Sequence, residues 1–197
     1  MEKKTMALPA EGTGTTLNLA LIHHPVVNKR SELIGSAVTN LDVHDIARAA
    51  KTYGVAKYFI TTPYHDQHLL LRELLAHWQT GHGAKSNPAR QQALAIVRLA
   101  LSLEEVVRSL TEEYRVAPLV VATSAVPRQK TISYRDLAEK IAGKTPVLLL
   151  FGTAHGLAPE VIAQADTSLP PISGGTAYNH LSVRSAASII IDRLLGS

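Results

Sequence analysis

The sequence predicts an α/β protein built on a parallel sheet, and three observations carry that expectation. Apolar, β-prone runs alternate with segments of helical periodicity along the chain. Most of those runs are continuously apolar instead of alternating, the pattern of strands covered on both faces. At 197 residues the chain can bury roughly 70% of its unfolded surface in one domain, and no internal repeat or second-domain boundary divides it.

Residues 1–16 (MEKKTMALPAEGTGTT) mix charge with Gly, Thr and Pro and have no apolar stretch, so they read as a flexible tail ahead of a single domain over 17–197. The GTGTT within them precedes the first strand instead of following one, which discounts a dinucleotide loop. Residues 18–23 (NLALIH) form the first expected strand. A helix follows over 39–53, with Val43, Ile46, Ala47, Ala50 and Tyr53 on one face and Thr39-x-x-Asp42 as a capping-box-like start. Residues 57–61 (KYFIT) are the next strand. A helix over 66–79 carries Leu69, Leu70, Leu71, Leu74, Leu75 and Trp78 and ends near Gly81. Residues 81–90 (GHGAKSNPAR) read as a long, Gly-rich, basic loop, either a solvated connection or a functional one.

Residues 95–101 (AIVRLAL) suit a strand leading into a Ser102-led helix over 103–114. Strands at 119–123 (LVVAT) and 147–152 (VLLLFG) flank a helix at 134–141. The last helix, 182–195, places Val183, Ala186, Ala187, Ile190, Ile191 and Leu194 on one stripe.

Composition excludes several classes of function. The chain has no cysteine, which removes disulfides, thiolate metal sites and cysteine nucleophiles and suits a cytoplasmic location. The apolar runs, such as 146–151, fall far short of the ~18–20 residues of a membrane span. Among the nine histidines, the pairs His65/His68 and His77/His82 lack carboxylate partners at ligand spacing, so no metal site is expected. Net charge is +4, from 20 Lys and Arg against 16 Asp and Glu; that is compatible with a polyanionic partner without requiring one. The phosphate-loop, dinucleotide-loop and nucleophile-elbow signatures are missing.

Ligands of parallel sheets bind beyond the carboxyl ends of the strands. Three polar clusters follow those ends: Thr123-Ser124, the run Gly152-Thr153-Ala154-His155-Gly156, and the stretch 169–182 (LPPISGGTAYNHLS). Each reads either as a tight turn or as a place where main-chain groups meet a ligand closely. On the first helix His44, Asp45 and Arg48 lie off the apolar stripe. Asp45 and Arg48 form either a solvated ion pair or part of a phosphate grip shared with Asn28, Lys29 and Arg30.

Three stretches, 40–55 (NLDVHDIARAAKTYGV), 148–157 (LLLFGTAHGL) and 169–190 (LPPISGGTAYNHLSVRSAASII), resemble the three motifs of the SPOUT class of knotted methyltransferases. The chain most resembles a bacterial branch of S-adenosylmethionine-dependent RNA methyltransferases consisting of the knotted domain alone. The resemblance covers about residues 17–195. It implies a SPOUT-like parallel sheet with a C-terminal trefoil knot, a homodimer, and S-adenosylmethionine held by main-chain groups of the knot. By the same resemblance Thr123, Ser124, Gly152, Thr153, Leu157, Leu169, Pro171, Ile172, Asn179 and Leu181 bind the cofactor, and Arg48 matches the first-motif arginine.

The chain departs from the ribose-methylating branch in three places. Thr153-Ala154-His155 offers no glutamate, the residue before the last helix aligns at Asn179 or His180, and Asp42 opens the first motif where Asn is common. Base and ribose methylation therefore both stay open. In-line methyl transfer needs alignment and a proton acceptor. Arg48 stays protonated and is assigned to phosphate or developing negative charge, while Asp42, Asp45 and His44 are the candidate bases. Asn28, Lys29, Arg30, Lys85, Asn87 and Arg90 are the candidate RNA contacts. The expected substrate is tRNA or rRNA; protein methylation, or a non-catalytic nucleotide- or RNA-binding module on the same fold, are the alternatives.

Overall fold

The computed structural model describes residues 15–196. In chain order its elements are β1 (Leu17–Ile22), β2 (Val26–Val27), β3 (Leu33–Ile34), α1 (Asn40–Thr52), β4 (Lys57–Thr61), α2 (His65–Gln79), α3 (His82–Ser86) and α4 (Pro88–Leu94). Then come β5 (Val97–Ala100), α5 (Leu103–Tyr114), β6 (Leu119–Ala122), α6 (Tyr134–Ala142), β7 (Val147–Gly152), α7 (Pro159–Ala163), β8 (Thr167–Ser168) and α8 (Val183–Leu195). Of the expected tail, residues 1–14 lie outside the described residues. Thr15 donates its N–H to the Gly54 carbonyl, and the Thr16 hydroxyl donates to the Thr145 carbonyl at 2.7 Å.

The apolar runs form one six-stranded sheet in the order β5-β4-β1-β7-β6-β8, parallel at every pairing. Every residue of β1 is buried, and its side chains alternate between two cores as the pleat requires. Leu17, Leu19 and Leu21 join the first core with the apolar faces of α1, α2, α4, α6 and α8. Ala20 and Ile22 join the second, beneath α5 and α7. Burying each such leucine contributes about 1.5–3 kcal/mol, so the continuous apolar run drives the two-sided covering.

Caps set the helix starts. The Thr39 side chain accepts from the Asp42 N–H, Ser102 from the Glu105 N–H, and Ser182 from the Ser185 N–H. In α2 the buried leucines are Leu71 and Leu75, whereas Leu69 and Leu70 are exposed. The segment 81–90 is not a loop. It folds into α3 and the start of α4, because Asn87 caps α4 by accepting from the Arg90 N–H and Pro88 opens its first turn. Gly83 is buried; a Cβ there would lie 2.7 Å from the Trp78 ring. The β2–β3 hairpin, α7 and β8 are too short to leave a periodic signal. Among the described residues no helix is long and apolar enough to cross a membrane.

The topology places the site. From β1 the chain moves outward through β4 to β5, crosses by α5 to β6, and returns to insert β7 beside β1 before ending the sheet at β8. The connections leaving β1 and β7 therefore diverge, which makes their carboxyl ends the switch point where parallel sheets open to ligands.

Candidate active site at the carboxyl edge of the sheet

At the switch point itself the opening is filled by the chain. The Val27 N–H donates to the Gly156 carbonyl and the His155 N–H to the Val27 carbonyl, both at 3.0 Å. The Thr153 hydroxyl donates to the Ile22 carbonyl at 3.1 Å and lies 2.5 Å from Ser36 Oγ, which is 3.0 Å from His23 Nδ1. His23 is fully buried, and burial lowers its pKa from 6.5 to about 4, so the imidazole is neutral at physiological pH. The remaining strand-end loops lie one strand outward, after β6 and β8.

The first and third strand-end clusters meet there, and the second follows the neighbouring β7. Thr123 follows β6 and donates both its N–H and its hydroxyl to the Leu150 carbonyl. The Leu169 N–H, following β8, donates to the Ala122 carbonyl at 2.9 Å. Asn179 Nδ2 donates to the Ala125 carbonyl at 3.0 Å and so ties the third cluster to the first; His180 instead packs edge-on against Tyr178. After β7 the chain doubles back so tightly that a Cβ on Gly152 would sit 2.4 Å from the Leu157 nitrogen. Only a glycine allows that approach.

Leu157 and Leu169 are buried, Pro171 and Ile172 half-buried and Leu181 exposed. The Ser124 hydroxyl accepts from the Val126 N–H at 3.0 Å. The hydroxyls of Thr123, Ser124 and Thr153 are thus engaged by the chain itself, which leaves main-chain groups and apolar side chains as the ligand-facing chemistry. An uncharged lining of this kind fits an adenosine group.

Beside the cradle lies a charged cluster. Arg184, in the first turn of α8, places Nη1 2.8 Å from Asp42 Oδ1 and Nε 3.5 Å from Asp45 Oδ2. The second Asp42 oxygen accepts from the Thr39 hydroxyl at 2.6 Å. Asp42 is buried, with its side chain 9% exposed, whereas that of Asp45 is 47% exposed. Sequence reasoning missed Arg184. Its signal was a cation in a helix's first turn, where the macrodipole disfavours positive charge unless carboxylates compensate.

Asp45 therefore pairs with Arg184 and not with Arg48. Arg48 is exposed and forms no ion pair among the described residues. His44 is buried against Trp78, with its pKa lowered by burial first and then by Arg90, against the opposing charge of Asp45.

The expected RNA contacts separate. Asn28 shapes the β2–β3 turn, accepting from the Arg30 and Glu32 N–H groups, and Arg30 pairs with Glu32 at 3.4 Å. That hairpin packs into the second core and α1 into the first, so the two halves of the expected phosphate grip are anchored on opposite layers. Lys29 and Lys85 are exposed, Asn87 is the α4 cap, and Arg90 lies over Trp78 with Cζ 4.8 Å from the ring centroid. Among the described residues no group of three or more His, Asp or Glu could hold a metal ion. Two surface cavities, of about 150 and 400 Å³, open beside β5, and neither is lined by the loops after β6, β7 and β8.

The model of a family described as SAM-dependent RNA methyltransferase matches residues 16–196. A protein of Oleidesulfovibrio alaskensis named tRNA (guanine-N(1)-)-methyltransferase is 46% identical over 186 residues, which make up 94% of this chain and 43% of that protein. The chain thus spans less than half the length of that relative. An uncharacterized protein of Aquifex aeolicus is 38% identical over 89% of this chain and 86% of its own length. The fold is similar to that of the SpoU methyltransferase AviRb from Streptomyces viridochromogenes, solved in complex with AdoMet, at a TM-score of 0.55 and 14% identity, covering 90% of this chain and 56% of that one.

Proposed function

Because the chain belongs to the family of S-adenosylmethionine-dependent RNA methyltransferases, we propose that the carboxyl edge of its sheet brings S-adenosylmethionine and tRNA together for methyl transfer. The observation that carries this reading is the convergence of an uncharged cradle at three neighbouring strand ends with the Asp42–Arg184–Asp45 cluster. When bound, S-adenosylmethionine supplies an electrophilic sulfonium methyl group for in-line transfer to a nucleotide nitrogen or oxygen.

In this reading Leu157, Leu169, Pro171, Ile172 and Leu181 give the adenosyl group apolar contact. The hydroxyls there, the N–H groups of Thr123 and Thr153 and the Thr153 carbonyl are already engaged, so the Thr123 carbonyl and main-chain groups of Ser124 read its polar edge. Gly152 and Thr153 shape the turn beside it. Asn179 holds the third loop against the first. Both Asp42 oxygens have partners, so Asp42 fixes Arg184, and the more open Asp45 takes the acceptor's proton. Arg48 remains cationic and holds a substrate phosphate or the charge that develops in the transition state. Lys29 and Lys85 add exposed cations for the RNA backbone.

The same reading assigns the C-terminal segment to a trefoil knot. The bonds from Asn179 to Ala125 and from Tyr134 to the Pro170 carbonyl, which draw residues 170–179 against the β6–α6 connection and the start of α6, support it. It makes residues 17–197 one knotted domain and the protein a cytoplasmic homodimer. Leu41, Tyr178 and Leu181, which are 61%, 73% and 45% exposed, support an apolar subunit face near the site. The tRNA substrate is supported by the name of the Oleidesulfovibrio relative. Calorimetric titration with S-adenosylmethionine, with NAD and ATP as controls, tests the cofactor half: selective binding is expected, and no binding by S-adenosylmethionine refutes it.

A further inference from the structure

Two buried side-chain nitrogens that lack a hydrogen-bond partner, His44 Nδ1 and Arg90 Nε, belong to one cluster around Trp78. Four elements build it. His44 of α1 meets the Trp78 ring edge-on at 5.4 Å, His77 of α2 meets it at 5.1 Å, and the Arg90 guanidinium of α4 lies over it at 4.8 Å. Gly83 of α3 closes against the same ring. Helix electrostatics do not account for Arg90, which stands in the first turn of α4, where a cation is disfavoured; it forms no ion pair among the described residues. Burial first, then Arg90 and to a smaller extent Arg48, lower the pKa of His44 against the opposing charge of Asp45. The cluster thus holds a half-buried aromatic ring packed on the first core, two guanidiniums without carboxylate partners among the described residues, and a buried imidazole nitrogen with no partner. His77 is exposed at its rim.

Flat apolar surface beside unpaired cations is the chemistry that single-stranded nucleotides select, through base stacking and phosphate contact. We propose that this cluster is a nucleotide clamp that grips the RNA substrate away from the reacting nucleotide, with a phosphate on Arg90 and a base against Trp78 and His77. The inference rests on the RNA reading of the active site and adds a second point of contact on the face formed by α1, α2 and α4.

Trp78 is the single tryptophan of the chain, so its fluorescence reports this cluster alone. Titrating the full chain with unfractionated tRNA is expected to change that fluorescence along the binding curve measured independently by filter binding. Arg90→Gln is expected to weaken tRNA binding roughly tenfold and to lower the slope of log affinity against log salt by about 1, with affinity for S-adenosylmethionine retained. Arg90→Lys, which keeps the charge, restores most of that slope. Binding and methylation of tRNA with silent Trp78 fluorescence, or an unchanged salt slope in Arg90→Gln, overturns the clamp and leaves the methyltransferase reading standing. Failure of the unaltered protein to bind tRNA overturns both. The fluorescence titration needs no variant, so an Arg90→Gln chain that fails to fold does not remove the test.

Discussion

Arg184→Ala removes the guanidinium that lies 2.8 Å from Asp42 Oδ1 and 3.5 Å from Asp45 Oδ2. Asp42 keeps the Thr39 hydroxyl on its other oxygen, but its side chain is only 9% exposed, so water replaces little of the lost partner. Breaking a fully buried ion pair costs about 3–5 kcal/mol, and breaking an exposed one about 0–1 kcal/mol. With the Arg184 side chain 32% exposed, the expected cost falls between them, at about 2 kcal/mol. For a chain of this length that lowers Tm by about 4–8 °C. Asp42→Asn removes the charge from the other side, so the double variant should lose about 1–2 kcal/mol less than the two single losses combined. Thermal and urea unfolding of the four proteins supply the cycle. Methyl-transfer kinetics should show kcat falling in Arg184→Ala while affinity for S-adenosylmethionine holds, because the cradle contains no part of Arg184. Additive losses within about 0.5 kcal/mol, or an unchanged Tm in Arg184→Ala, would refute the assignment of Arg184 as the residue that holds both carboxylates.

His23 has a folded pKa of about 4 against 6.5 for the exposed imidazole, so the unfolded chain binds the extra proton between those values and stability rises with pH across that window. The gap is worth roughly 3 kcal/mol at 1.36 kcal/mol per pH unit. His23→Gln should flatten the slope of unfolding free energy between pH 4 and 6.5, and an identical slope would contradict the buried-neutral assignment. Gly152→Ala places a Cβ 2.4 Å from the Leu157 nitrogen and should abolish calorimetric binding of S-adenosylmethionine; retained affinity would remove that turn from the cradle. Arg48→Ala should bind the cofactor normally and lose methyl transfer, since its exposed guanidinium touches neither the cradle nor the core; unchanged turnover would take Arg48 out of the mechanism.

What could be read from the chain depended on how local the determining physics was. The strands at Leu17–Ile22 and Val147–Gly152 announced themselves because burial on both faces demands continuous apolar sequence. The α1 start was visible because Thr39 and Asp42 satisfy each other within four residues. The segment 81–90 was misread because glycine and basic composition masked a local signal, the Asn87 cap followed by Pro88. In α2, Leu69 and Leu70 cannot be told from Leu71 and Leu75 by composition; only the packing against α1 and α4 decides which are covered.

The site divides the same way. Strand-end glycines and hydroxyls were legible because the carboxyl edge of a parallel sheet is a general binding position. The partner of Asp42 lies 142 residues away, and no local pattern couples the two. That distance also explains why Asp45 was matched with Arg48, its neighbour on the helix, instead of with Arg184.

The most direct measurement is methyl transfer itself. The purified protein is incubated with S-adenosylmethionine labelled in the methyl group and with unfractionated tRNA, and the RNA is digested to nucleosides for mass spectrometry. The expected result is a labelled methylnucleoside formed in step with S-adenosylhomocysteine, abolished in Asp45→Asn and reduced in Arg184→Ala. Binding of S-adenosylmethionine with no labelled nucleoside and no S-adenosylhomocysteine would contradict the reading and leave a non-catalytic binding module on this fold.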